Sequence, residues 1–550
     1  MGGVWAEHRL YPALKSNNML GTYEYSDFPM EEETFGVKPG EHIPGHVMHK
    51  YLRSYAETFD VYRRIRFQSK VESVEQTDNG RWLITIINTA PDSESKMILS
   101  KKLIVATGTT SEPFMPDLRG AESFGAPIIH LKDFKDHADT LKTAKNVVVL
   151  GGGKGGWDAA YAYASAGVHV DMIIRPSGHG PIWMAPPYVT PLKKWLEKLV
   201  TTRLLTWFSP CVWGAADGFG SVRNLLHGTT LGRWMVDAFW KVLRNDVVQL
   251  NGYDNHPETK KLKPWTDPFW IGCGLGVLNY PTDFFDLVRT GKINVHSAEV
   301  SRLSDRTVLL SNGDTINADV VLCATGWKHT PPIRFLPDGM DIKLGLPHLS
   351  SNPDTLAARA DAEILARFPR LRDQPQLSVT PTSESLPEEK GGGSDVPTEI
   401  RPYRLYRFMV PPAFISDRSI GFVGAVMSLT TSICAQTQAL WITAYLDGRL
   451  PLPVASSRAG EEEATATEDD VLWETTLHSQ FGKWRFPIGY GPVVPEFVFE
   501  ALPYTDLLLK DLGLESHRKN GKLAEWFEPY GPEDYRGLVA EWKRNEGFDG

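Results

Sequence analysis

Residues 147–176, VVVLGGGKGGWDAAYAYASAGVHVDMIIRP, restrict the fold more than any other stretch of the chain. An apolar, mostly β-branched run leads straight into a glycine cluster. A helical segment, Trp157 to Gly167, follows it, and a second apolar run over Val168–Ile174 closes the unit. Within the cluster, Gly151, Gly153 and Gly156 stand in G-x-G-x-x-G spacing, and each has its own task. The first permits a tight turn, the second lets a pyrophosphate approach the backbone, and the third lets helix and strand pack closely. Amides at the helix start then face the phosphates, and the helix dipole adds about 0.3–1 kcal/mol, or about 2 where partly buried. The unit therefore predicts dinucleotide binding on a parallel sheet.

The end of the second strand selects the dinucleotide. A carboxylate there would bond the ribose hydroxyls of NAD, but this chain presents Arg175, with Lys154 in the glycine loop. A guanidinium holds a 2′-phosphate by charge-assisted bonds worth about 1.5–3 kcal/mol each. NADPH is favoured, with a merely solvated Arg175 as the alternative.

Two further strands end in small-residue turns: KKLIVATGT (101–109) and ADVVLCATGW (318–327). Runs of this kind suit strands buried on both faces of a parallel sheet, and their alternation with helical stretches gives an α/β class. The turns Ala106-Thr107-Gly108 and Ala324-Thr325-Gly326 bracket the glycine unit, as crossover strands would if one domain were inserted into another. A chain of 550 residues has room for both. Polar tracts at 376–398 and 455–470 read as solvated insertions. Residues 419–446 read as a strand and a helix beneath a ligand, not as a transmembrane segment. A net charge of −9 argues against nucleic acid as a partner. The four cysteines are far apart, which indicates neither a metal site nor a disulfide framework and fits a reducing, cytoplasmic setting, with peripheral membrane association left open. Residues 181–280 hold eight tryptophans, from Trp183 to Trp270, and form either a lid or apolar substrate chamber, or a packing excursion.

Beyond these patterns, the chain resembles the flavin-containing monooxygenases of the class B, two-dinucleotide-domain kind, most of all their fungal branch. The resemblance is carried by Gly2-Gly3-Val4-Trp5, KSNNMLGTYEYSDFPM (15–30), IPGHVMHKYLRSYAETF (43–59), the glycine motif, both ATG turns, and Gln438 with Trp441. It implies two Rossmann-like dinucleotide-binding domains, with the NADPH domain (116–325) inserted into the FAD domain (1–115 and 326–450), and a C-terminal extension over 451–550. It implies FAD as well as NADPH, and reaction of the reduced flavin with O2 to a C4a-(hydro)peroxyflavin. Asn17 matches the asparagine beside the isoalloxazine, where an amide can donate to the peroxy oxygen. Matching cofactor contacts fall on Gly3, Trp5, Tyr11, Asn17, Val71, Thr107, Gly108, Thr325, Gly326 and Gln438, in addition to Gly151, Gly153, Lys154, Gly156 and Arg175. The family fingerprint is degraded in FGAPIIHLKDF, which keeps Phe124, His130 and Phe134 but has Ala126 in the glycine place; His130 is expected to fix the linker between domains.

The Gly-Gly-x-Trp segment of that family follows a first strand, an FAD-binding glycine turn, a helix and a second strand, and here Met1 falls where those elements should end. Either the natural chain has roughly forty further residues, the size of such a unit, or a short product binds FAD poorly. The expected function is an FAD- and NADPH-dependent monooxygenase that places one oxygen atom from O2 in a small organic substrate. The fungal likeness implies a tailoring hydroxylation, epoxidation or heteroatom oxidation in polyketide or other secondary metabolism. The alternatives are a non-catalytic NADPH-binding remnant and a flavin reductase without a lasting peroxyflavin.

Overall fold

The computed structural model describes residues 2–89, 95–190, 193–375, 386–387, 398–450 and 468–547, and the polar tracts read from the sequence lie almost wholly outside these. The chain enters through β1 (Lys15–Met19) and α1 (Gly45–Thr58). An antiparallel sheet follows, built from β2 (Ser69–Gln76), β3 (Trp82–Asn88) and β4 (Lys96–Ser100), and then β5 (Leu103–Val105) and β6 (Glu112–Pro113).

Beyond β6 the chain builds a five-stranded parallel sheet. Its members are β7 (Ile128–His130), β8 (Asn146–Leu150), β9 (His169–Ile174), β14 (Ile293–Ser297) and β15 (Val320–Cys323), in the order β14-β9-β8-β15-β7. In β8 the side chains of Val147 and Val149 enter one core and those of Val148 and Leu150 another. That division is why the strand is apolar without alternation: period-two geometry sends successive residues to opposite faces, and both faces are covered. Helix α2 (Lys154–Ser165) connects β8 to β9, and its run of alanines from Ala159 to Ala164, broken only by tyrosines, is buried against the sheet.

The segment between β9 and β14 forms a lobe of its own. It contains β10 (Trp183–Ala185), the hairpin β11 (Tyr188–Val189) and β12 (Lys194–Trp195), then α3 (Leu196–Val200), α4 (Arg203–Thr206), α5 (Gly220–Gly228) and α6 (Thr230–Asn251), and β13 (Leu275–Val277), which pairs in parallel with β10.

After β15 the chain returns through β16 (Trp327–Lys328), antiparallel to β6, so the two passages into and out of the five-stranded unit lie side by side. Thr325 Oγ1 donates to the Phe114 carbonyl at 2.6 Å, Phe114 N–H donates to Gly326, and His130 Nε2 meets the Gly326 carbonyl at 3.1 Å. The chain then adds β17 (Arg334–Leu336) to β2 and β18 (Ile420–Phe422) to β5, both in parallel. Residues 419–446, the stretch that raised the membrane question, become β18 and helix α7 (Thr431–Leu446). No helix among the described residues is long and apolar enough to cross a membrane.

The last segment is not an appendage. Helices α8 (Glu468–Arg485), α9 (Ala501–Asp511) and α10 (Lys522–Phe527) share the largest core with the lobe: Trp207, Trp213, Trp240 and Trp270 pack there with Phe481, Phe497, Phe499 and Leu508.

Candidate functional site: a nucleotide cradle, an amide and an apolar chamber

The glycines of the β8–α2 turn do separate work. Gly151 has φ +125°, and a Cβ there would lie 2.4 Å from the Ala324 carbonyl oxygen at the end of β15. A Cβ on Gly156 would lie 2.3 Å from the Gly151 carbonyl oxygen, so α2 sits directly on its own turn. Nothing lies within 4 Å of the Cβ position of Gly153. Two glycines thus close the turn and one leaves its backbone open, at the carboxyl ends of parallel strands and the start of a twelve-residue helix. That is the geometry a pyrophosphate cradle requires. Arg175 is exposed at the end of β9, beside the turn that Ser177 N–H anchors on Glu299 at 2.9 Å.

A polar network joins this cradle to β1. Lys154 Nζ bonds Asp158 and, at 3.1 Å, Asn279 Oδ1, and stands 4.8 Å from the centre of the Tyr280 ring. Tyr280 and Tyr11 each donate a phenol to Asp158 at 2.8 Å. Asn279 Nδ2 donates to the carbonyls of Lys15 (3.4 Å) and Ser16 (3.1 Å). One residue on, Asn17 Oδ1 accepts the Val277 N–H at 3.3 Å, and its Nδ2 has no hydrogen-bond partner among the described residues. Beside it, His42 Nδ1 meets the Ser16 carbonyl at 3.1 Å, and burial pushes the imidazole down to about 4, so the ring is neutral near pH 7.

Leu275 of β13 also lines a cavity of about 510 Å³. Trp183, Phe239, Trp240, Leu275 and Phe499 are among its walls, and only Thr190 and Lys194 bring polar side chains. Two of the eight tryptophans therefore face the chamber, while Trp234 and Trp265 face solvent. Helix α3 also lines the cavity and carries Glu197, a buried carboxyl whose Oε1 accepts the Met19 N–H at 3.0 Å and whose Oε2 is unpartnered. Burial pushes this group up to about 6, against the pull of its hydrogen bonds. A carboxyl with a raised folded-state pKa binds its proton more tightly when folded. Its favourable contribution is present below the unfolded value and lost as pH rises through about 6. Glu197→Gln should therefore melt higher than the wild type at pH 8, by up to about 2 kcal/mol, with no gain at pH 4; thermal unfolding across that range measures it.

Comparison with known proteins places this arrangement. The pyridine nucleotide-disulphide oxidoreductase family model matches residues 17–205. The FAD-dependent monooxygenase rstn6 of Aspergillus nomiae is 32% identical over 100% of this chain and 92% of its own length. The chain belongs to the FAD-dependent monooxygenases. Another of them, from Pyrenophora dematioidea, is also 32% identical, over 96% of this chain and 93% of that one. Cyclohexanone monooxygenase from Rhodococcus sp. Phi1, crystallised with NADP+, has the same fold: TM-score 0.55 at 16% identity, over 93% of this chain and 90% of that one. The α/β, two-dinucleotide-domain class expected from the sequence is therefore the class of this monooxygenase.

Of the residues singled out in the sequence, Tyr11, Asn17, Lys154 and the three glycines converge on the cradle and β1. Thr107, Gly108, Thr325 and Gly326 lie at the paired passages: the Thr107 carbonyl accepts from Ser111, and Gly108 and Gly326 have open space where a Cβ would be. Gly3 and Trp5 form a short 3-10 turn, with the Trp5 carbonyl 2.9 Å from His49 Nδ1, and Val71 packs against the core under β2 and β3. Two of these side chains are engaged within the protein: the Lys154 ammonium pairs with Asp158, four residues on and on the same helical face, and buried Gln438 accepts the Gly424 N–H at 3.1 Å through Oε1 and donates to Tyr504 at 2.8 Å through Nε2. Sequence reasoning missed Asp158, which the i, i+4 spacing from Lys154 announces, and Asn279, Tyr280 and Glu197, for which no sequence signal exists.

Proposed function

We propose that this monooxygenase oxidises a small, largely apolar organic molecule with O2, takes its electrons from NADPH, and uses FAD as the redox cofactor. One observation carries the reading: residues 275–279 touch all three parts of such a reaction. Leu275 is a wall of the chamber, Val277 holds Asn17, and Asn279 holds Lys154 and the carbonyls before Asn17.

The residues fit NADPH, through the open backbone at Gly153 and the exposed guanidinium of Arg175. They fit the flavin at the carboxyl ends of β5 and β18, where Gly108 and Gly424 leave backbone uncovered. A strand, glycine turn and long helix like that of residues 146–165 does not accompany these two strands among the described residues. When bound, FAD supplies the two-electron relay between NADPH and O2 that no side chain provides.

The chain's own residues orient and exclude. Asn17 Nδ2 is the free donor for the reacting oxygen, and an amide gives that bond without being ionisable. Neutral His42 adds no charge behind it. The chamber holds the substrate's carbon body and keeps water away. A tailoring step in fungal secondary metabolism is the setting this proposal favours.

The test is coupling. With FAD added, wild-type protein should consume NADPH and O2 in step with product from an apolar thioether or ketone. Asn17→Ala should oxidise NADPH at a similar rate while product falls about tenfold, the loss of roughly one charge-stabilising bond, and hydrogen peroxide rises to match. Equal peroxide release from both proteins would refute the role of Asn17 and favour a plain reductase.

A further inference from the structure

Helix α6 is apolar on two faces. Val236, Trp240 and Val247 pack inward, as the core requires. On the opposite side, Leu231, Met235, Ala238 and Val242 recur at spacings of three and four, which sets them in one stripe along three turns. Leu231 is 70% exposed, Met235 43% and Val242 58%; Trp234 borders the stripe at 67%, and Leu225 of α5 extends it past the corner. A soluble surface rarely arranges its large apolar residues in a continuous row.

The flanks are basic in a chain whose net charge is −9. Lys241 lies beside the stripe on α6, and Lys193 and Lys194 of the hairpin that meets α6 through Thr190 and Asp246 are exposed. The nearby acids are engaged: Asp237 pairs with Arg370 at 2.9 Å, Asp246 accepts the Thr190 N–H, and Asp267 pairs with Arg244. Val242 and Lys194 are also walls of the cavity, so the chamber reaches the surface where the stripe ends.

We propose that the α6 face is a docking surface for an anionic lipid bilayer, with α6 lying in the membrane plane and the chamber mouth turned toward the lipid. Aliphatic residues on the contact line, an aromatic at its border and lysines on the rim are what an interfacial helix needs. A two-fold pairing of two copies through this stripe would bring each basic flank against its own likeness, which disfavours self-association. The consequence, entry of an apolar substrate from the lipid side, rests on the proposed function; the docking surface itself does not.

Sedimentation with vesicles tests it. Full-length protein should pellet with phosphatidylcholine vesicles containing phosphatidylserine and far less with phosphatidylcholine alone, and added salt should release it. A Leu231→Ser, Trp234→Ser variant and a Lys193→Glu, Lys241→Glu variant should each bind the anionic vesicles at least about tenfold more weakly while melting at the wild-type temperature. No pelleting with either vesicle, or undiminished pelleting of both variants, overturns the proposal. So does a concentration-dependent dimer in light scattering that the Leu231→Ser, Trp234→Ser variant abolishes. Leu275→Trp, which fills the chamber, should lose turnover and keep vesicle binding, so a wrong assignment of the chamber would show without touching the surface.

Discussion

Replacing Gly153 with alanine should cost the protein its NADPH affinity while leaving its folding stability where it was. The position has φ −79° and ψ 174°, which alanine adopts freely, and no atom of the protein stands within 4 Å of the added methyl. The methyl instead occupies the ground a pyrophosphate needs. An NADPH KM raised about ten- to a hundredfold, equivalent to about 1.4–2.8 kcal/mol, is expected alongside an unchanged melting temperature. Gly151→Ala and Gly156→Ala should do the reverse. Their new atoms meet carbonyl oxygens at 2.4 and 2.3 Å, both backbone, and Gly151 also sits in a conformation that L-residues avoid. Each should lose about 3 kcal/mol of stability before any question of binding arises. If all three variants melt alike, or Gly153→Ala binds NADPH normally, the division of labour within the turn is wrong.

The second large effect is expected far from the cradle. Arg203 is fully buried at the start of α4, with its guanidinium on Asp506 of α9 and Glu525 of α10 and 5.1 Å from the centre of the Tyr530 ring. It is the polar pin between the inserted lobe and the C-terminal helices. Arg203→Met removes the cation and leaves two carboxylates in a dry interior, a loss of about 3–5 kcal/mol by urea unfolding at pH 8. Arg289→Met, at an exposed pair with Asp283 and Asp286, should cost under about 1 kcal/mol. The pH dependence carries the sign. Burial pushes Asp506 up to about 6 even with Arg203 beside it, so protonation favours the folded state, and stability associated with this group falls as pH rises through that value. Without the arginine the penalty on the charged form is larger. The gap between variant and wild type should therefore narrow as pH falls from 8 to 5; a constant gap would mean the arginine acts by packing alone.

How much of this was legible in the sequence depends on whether a signal was local. The β8–α2–β9 unit was, because an unbroken apolar strand, three spaced glycines and a following helix are all properties of adjacent residues. β5 and β15 were legible for the same reason. Helices α8 and α9 were not: α9 is buried from Ala501 through Leu509, so no polar face marks its period, and it read as part of an extension. The partners of Lys154 are legible only in part: Asp158 is four residues on along its own helix, whereas Asn279 lies 125 residues away. Gln438 was placed by likeness, and only three-dimensional packing shows that it faces Tyr504. The chamber was legible only as one of the alternatives for the tryptophan-rich stretch 181–280, because its walls come together from β10, α3, α6, β13 and the chain before α9.

The shared core of the lobe and the C-terminal helices also bears on how the chain is made. Trp207, Trp213, Trp240 and Trp270 emerge from the ribosome long before Phe497, Phe499, Leu508 and Leu509, the residues that cover them. At translation rates of about 5–20 residues per second, an apolar surface rich in indoles waits some tens of seconds for its cover. The cradle, complete at β15, can fold meanwhile. This lobe is therefore the part of the nascent chain that most needs a chaperone, and a truncation before α9 should leave an aggregating product, not a smaller enzyme.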